Sequence, residues 1–79
     1  MANMEKITEY RITHPKGHKV LFEYFFNNDT GVVEVLANGV MDSNMAGTAW
    51  IEMLSNKARE KFNKPQAALF DFLNARLGD

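Results

Sequence analysis

Two turn signals cut the first half of this chain into three apolar segments, and nothing else limits its fold as tightly. His14-Pro15-Lys16-Gly17 suits a type I turn, with proline presetting φ and glycine free to close it in the left-handed region. Asn28-Asp29-Thr30-Gly31 repeats that chemistry, with asparagine opening the turn and glycine ending it. The flanking residues 6–13, 19–27 and 32–38 are rich in Val, Ile, Tyr and Phe and alternate with a period of two. Loops this short join antiparallel neighbours, so the reading is a three-stranded meander.

The first turn also sets a register. A type I turn with a glycine bulge pairs His14 with His18, and hence Ile12 with Val20 and Tyr10 with Phe22. Tyr10, Ile12, Val20, Phe22, Tyr24 and Phe26 then share one face. At the second turn a bulged three-residue loop would turn Val33 and Val35 to the opposite face. A four-residue loop aligns Phe26 with Val33 and Tyr24 with Val35, and is preferred because it gathers the apolar side chains together.

After Asn38-Gly39 the pattern changes. Asp42, Ser43 and Asn44 are good N-cap residues. Beyond them Ala46, Trp50, Leu54, Ala58 and Phe62 recur every four positions, which predicts a helix over residues 44–62. Gly47 lowers helix propensity there, but it can permit a close approach. Pro65 cannot continue that helix, which should stop near Phe62 or Asn63, and it suits the first turn of a second helix over 65–77. The two helical stripes need a surface, and the aromatic sheet face is the large one available. The expected fold is therefore α+β, a three-stranded antiparallel meander followed by two helices packed on one sheet face (β-β-β-α-α). Phe22, Tyr24, Trp50, Leu54 and Leu73 are expected to be buried together.

Seventy-nine residues read as a single domain, 1–79, and one this small buries only roughly 60% of its unfolded surface. Without cysteine it has no disulfide to add stability. Lys+Arg number 9 against 10 Asp+Glu, so no strong field gathers polyanions. No apolar run approaches the ~20 residues of a membrane span, and Met1–Lys6 lacks a signal-peptide core. The expectation is a soluble cytoplasmic protein.

Constellations able to carry chemistry are few. His14 and His18 face each other across the first turn but lack the further ligands zinc needs, so no metal is expected. Glu9 and Glu23 pair across strands, yet the short chain offers them no substrate cleft, and Arg11 is placed to neutralise one. Ser43 and Ser55 have no neighbouring histidine, and Gly31, Gly39 and Gly47 do not form a phosphate-cradling loop. Neither catalytic residues nor a cofactor are expected.

The face turned away from the helices is different. It is read as Ile7, Leu21, Phe25, Val32 and Leu36 among Glu9, Arg11, Glu23 and Glu34, large apolar side chains rimmed by charge. That composition points to a non-enzymatic protein-interaction module, a regulator, adaptor or inhibitor of the kind a virus or mobile element can encode. Its contact residues would be Ile7, Arg11, Leu21, Glu23, Phe25 and Leu36, and its partner another protein or a second copy. The alternative is a nucleic-acid-binding regulator using Lys57, Lys61 and Lys64, which fall at i, i+4 and i+7 on the first helix if it persists that far.

Overall fold

The computed structural model describes residues 3–56 and 64–77. Its element order is β1 (Met4–Thr13), β2 (Lys19–Asn27), β3 (Val32–Ala37), β4 (Val40–Ala46), α1 (Gly47–Asn56) and α2 (Lys64–Leu77). The strands form one antiparallel sheet in the order β1-β2-β3-β4. The α+β class is as read from sequence, but the sheet has four strands, not three.

Both expected hairpin registers are present. The His14 amide donates to the His18 carbonyl at 2.8 Å, and Gly17 closes the turn at φ 95°. Ile12 pairs with Val20 and Tyr10 with Phe22. At the second turn the Asn27 side chain accepts from the amides of Asp29 and Thr30, and the Gly31 amide returns to the Asn27 carbonyl. This four-residue loop sets Phe26 against Val33 and Tyr24 against Val35.

The fourth strand corrects the helix expected over 44–62. Asn38 and Gly39 both adopt positive φ, 51° and 83°, and link Ala37 to Val40 in a two-residue hairpin. Two consecutive left-handed residues are what a type I′ turn requires, and Asn-Gly supplies them at little cost. Asn38 is further tied to Leu21 by two hydrogen bonds of 2.9 Å, one through its backbone amide and one through its side-chain oxygen. Asp42, Ser43 and Asn44 therefore lie within β4 instead of capping a helix, and Met45 and Ala46 end that strand. The helix begins at Gly47 with no intervening loop.

The end expected near Phe62 or Asn63 lies outside the described residues. Pro65 sits in the first turn of α2, where its missing amide proton is not needed. Pro65, Leu69 and Leu73 are spaced by four and form the buried stripe of α2. With Leu54 of α1 and Phe26, Val33 and Val35 of the sheet, Leu69 and Leu73 make the core. Phe72 meets Phe26 edge-on, ring centroids 5.5 Å apart.

Of the five residues expected to be buried together, Leu54 and Leu73 are, whereas Phe22, Tyr24 and Trp50 pack only partly against the core. The fourth strand explains this. It consumes Val40–Ala46, so α1 starts at one end of the sheet, and the helices cover the Phe26–Val33 end more fully than the Tyr10–Phe22 end. Tyr10 and Ile12 remain 38% and 37% exposed.

Candidate functional site

Among the described residues two surfaces stand out beyond the core: the outer face of the sheet and a hollow on the helix side, at the Tyr10–Phe22 end of the sheet.

On the outer face, strand pairing assembles two full rows. Lys6, Phe25, Glu34 and Asn44 lie side by side, and next to them Glu9, Glu23, Leu36 and Met41. Arg11 and Leu21 flank these on one side, and Val32 on the other. Leu21, Phe25, Val32 and Leu36 are half-buried by their neighbours within the sheet, while Met41 is exposed.

Ile7 does not belong to this face. The β1–β2 register shifts between Lys6 and Thr8, leaving Ile7 as the extra residue of a bulge, and it packs against the helix-side core. The same slip turns Lys6 outward. Its ammonium bonds to Glu9 and, at 3.2 Å, to Glu23. Those hydrogen bonds raise the Lys6 pKa, and the bond from Lys6 lowers that of Glu9. The opposed carboxylates Glu9 and Glu23 are thus bridged by a cation, which relieves the repulsion that a bare pair would carry. Arg11, expected in that role, stands 3.9 Å from Glu9.

On the helix side, Tyr10 and Phe22 with Tyr24 floor a cavity of about 330 Å³. Trp50 of α1 and Pro65 of α2 wall it, and Asp42 and Ser43 of β4 edge it. Adjacent strand residues normally point to opposite faces. Here the β3–β4 register shifts between Val35 and Leu36, so Ser43 and Asp42 line the same hollow. Burial, and secondarily the Asp42 carboxylate, push the Tyr24 hydroxyl above its usual pKa. Trp50 keeps a buried indole N–H with no acceptor among the described residues.

A third feature joins the layers. Arg76 of α2 holds both Glu5 carboxylate oxygens at 2.6 Å, donates to the Asn28 side chain at 3.0 Å and lies over the Phe72 ring. This knot ties α2 to β1 and to the second turn.

His14 and His18 stack with ring centroids 4.4 Å apart and planes 10° from parallel. Imidazole lone pairs lie in the ring plane, so parallel stacked rings do not converge on one ion. Among the described residues no group of three or more His, Cys, Asp or Glu is placed to hold a metal. Added zinc, or a chelator, is expected to leave the melting temperature unchanged, as calorimetry would check. Lys57 and Lys61 lie outside the described residues, and Lys64 opens α2 instead of extending α1. No described helix is long and apolar enough to cross a membrane. Compared with known protein families, curated proteins and solved structures, the chain matches none.

Proposed function

We propose that this protein is a small non-enzymatic binding module that acts by covering a protein surface with the outer face of its sheet. The observation that carries the reading is that face itself. Leu21, Phe25, Val32 and Leu36 sit together on adjacent strands, while the helices pack on the other side. A solvated antiparallel face is mainly polar, whereas on the two central strands of this one Leu21, Phe25, Val32 and Leu36 alternate with Glu23 and Glu34. Fully burying such a side chain contributes about 1.5–3 kcal/mol, and less where neighbours already shield part of it. The sum over the patch is comparable to what a domain of this size lacks.

A second copy is the simplest partner, because two such faces pack as aligned sheets about 10 Å apart. Lys6, Glu9, Glu23 and Arg11 would then fix register more than strength. A regulator, adaptor or inhibitor would use the same face on a different protein.

Phe25→Glu tests this. The new carboxylate would stand beside Glu34 and Lys6, its cross-strand neighbours. The wild type is expected to run above the 9.0 kDa of one chain in light scattering, or to retain a protein from its host on a column. The variant should stay folded by circular dichroism and lose that association. A folded variant with unchanged mass and unchanged retained proteins would end the proposal.

A further inference from the structure

The geometry points to a second binding site, the hollow between β1, β2, β4 and α1, which we propose accepts an arginine side chain presented by a protein partner. It shares with the outer-face reading only the premise that the ligand is a protein, and it lies on the opposite side of the sheet.

Three observations carry it. First, the floor and wall are aromatic: Tyr10, Phe22, Tyr24 and Trp50 line one cavity of about 330 Å³. Such rings attract a cation lying over their faces, and a planar guanidinium stacks on them better than an ammonium does. A volume at the small end of ligand pockets suits one side chain better than a large cofactor.

Second, among the described residues one carboxylate, Asp42, stands at the cavity edge. Asp42 is exposed and makes no hydrogen bond or ion pair among the described residues, so its carboxylate is available to a ligand. A carboxylate in that position can take the two parallel N–H donors of a guanidinium.

Third, the backbone is bent to place it there. Counted back from Ser43, which faces inward opposite Val35, strand alternation would send Asp42 outward and Met41 inward, whereas Met41 pairs with Leu36 on the outer face. The β4 bulge brings Asp42 to the cavity instead, at the cost of a regular ladder. Asp42 lines the same cavity as Tyr24, and its charge adds to burial in raising the Tyr24 pKa.

Trp50 is the only tryptophan in the chain, so its indole N–H gives one resolved NMR signal on the cavity wall. The test titrates N-acetyl-arginine amide against isotope-labelled protein, with N-acetyl-citrulline amide as the neutral isostere at matched ionic strength. Arginine amide is expected to shift the Trp50 and Tyr24 signals saturably, and citrulline amide to bind roughly fivefold or more weakly. Asp42→Asn should weaken arginine binding by a similar factor while the remaining spectrum stays in place. The proposal is overturned if the two amides shift these signals equally, if no saturable shift appears, or if Asp42→Asn binds as the wild type does. Tighter binding of N-acetyl-lysine amide would overturn the guanidinium assignment. None of these outcomes bears on the Phe25 experiment, so the two readings fail separately.

Discussion

Leu54→Ala is expected to remove about 2–5 kcal/mol of stability, the range for deleting a large aliphatic side chain from a site that cannot collapse. Leu54 is 0% exposed and is the fully buried large side chain that α1 contributes. It shares the core with residues of two other elements: Leu69 and Leu73 of α2, and Phe26, Val33 and Val35 of the sheet. These elements hold the walls of the cavity apart, so little of the lost volume is recovered. At 0.05–0.15 kcal/mol per residue, a chain of this length has about 4–12 kcal/mol in total. The substitution therefore takes a large share of what exists. Urea denaturation should show a lower midpoint with an unchanged slope. Met41→Ala, on an exposed side chain of β4, should stay within about 0.5 kcal/mol of wild type. A Leu54→Ala midpoint equal to that of wild type would mean that α1 is not seated on the core described above.

Some of this architecture could be read from residue order because local chemistry and long-range packing agree there. His14-Pro15-Lys16-Gly17 dictates a turn, the turn dictates a register, and that register collects Tyr10, Phe22 and Phe26 on one face. At the second hairpin the turn chemistry alone was ambiguous, and the need to bury Val33 and Val35 decided it. Gly47 also behaves as its small size suggests, at a close approach.

The fourth strand was hidden because two local signals compete in residues 38–46. Asn38-Gly39 is a strong type I′ hairpin signal. It is followed, however, by Val40-Met41-Asp42-Ser43-Asn44, which has little alternation and looks like helix-capping chemistry. Pairing with β3 overrides that local preference, as strand context commonly does. The Asn-Gly dipeptide was the available evidence for the strand.

The two bulges left no comparable trace. Neither Ile7 nor Asp42 is a glycine, and each simply falls where the register slips. Yet they decide both surfaces. The slip at Ile7 removes an apolar side chain from the outer face and sets Lys6 between two glutamates. The slip at Asp42 turns a carboxylate toward the aromatic hollow. The Arg76–Glu5 pair spans 71 positions, beyond the reach of any reading of neighbours along the chain.

The remaining large effect is expected at Gly47, where β4 becomes α1 without a loop. The Gly47 amide donates to the Gly31 carbonyl at 2.8 Å, joining the helix start to the second turn. A Cβ at this position would lie 2.6 Å from Leu77 Cδ1, 3.1 Å from the Gly31 carbonyl oxygen and 3.2 Å from Leu73 Cδ2. Leucine tips can rotate aside. The Gly31 oxygen cannot retreat without stretching the hydrogen bond that defines the junction, and Gly31 is itself held at φ 74° by the turn. Overpacking of this kind costs about 1–3 kcal/mol. In alanine it is opposed by the helix propensity gained on replacing glycine, about 1 kcal/mol in a helix interior and less at a first residue. Gly47→Ala should therefore be mildly destabilising, whereas Gly47→Val adds two further methyl groups at this crowded position and should cost about 3 kcal/mol. For a domain of this size that is a fall of roughly 12–24 °C in melting temperature. Leu77→Ala in the Gly47→Val background separates the contributions. It should restore only part of the loss, because the close approach to the Gly31 oxygen persists. Full rescue by Leu77→Ala would show that the backbone contact is slack, and a Gly47→Ala protein more stable than wild type would show that the junction has room for a side chain.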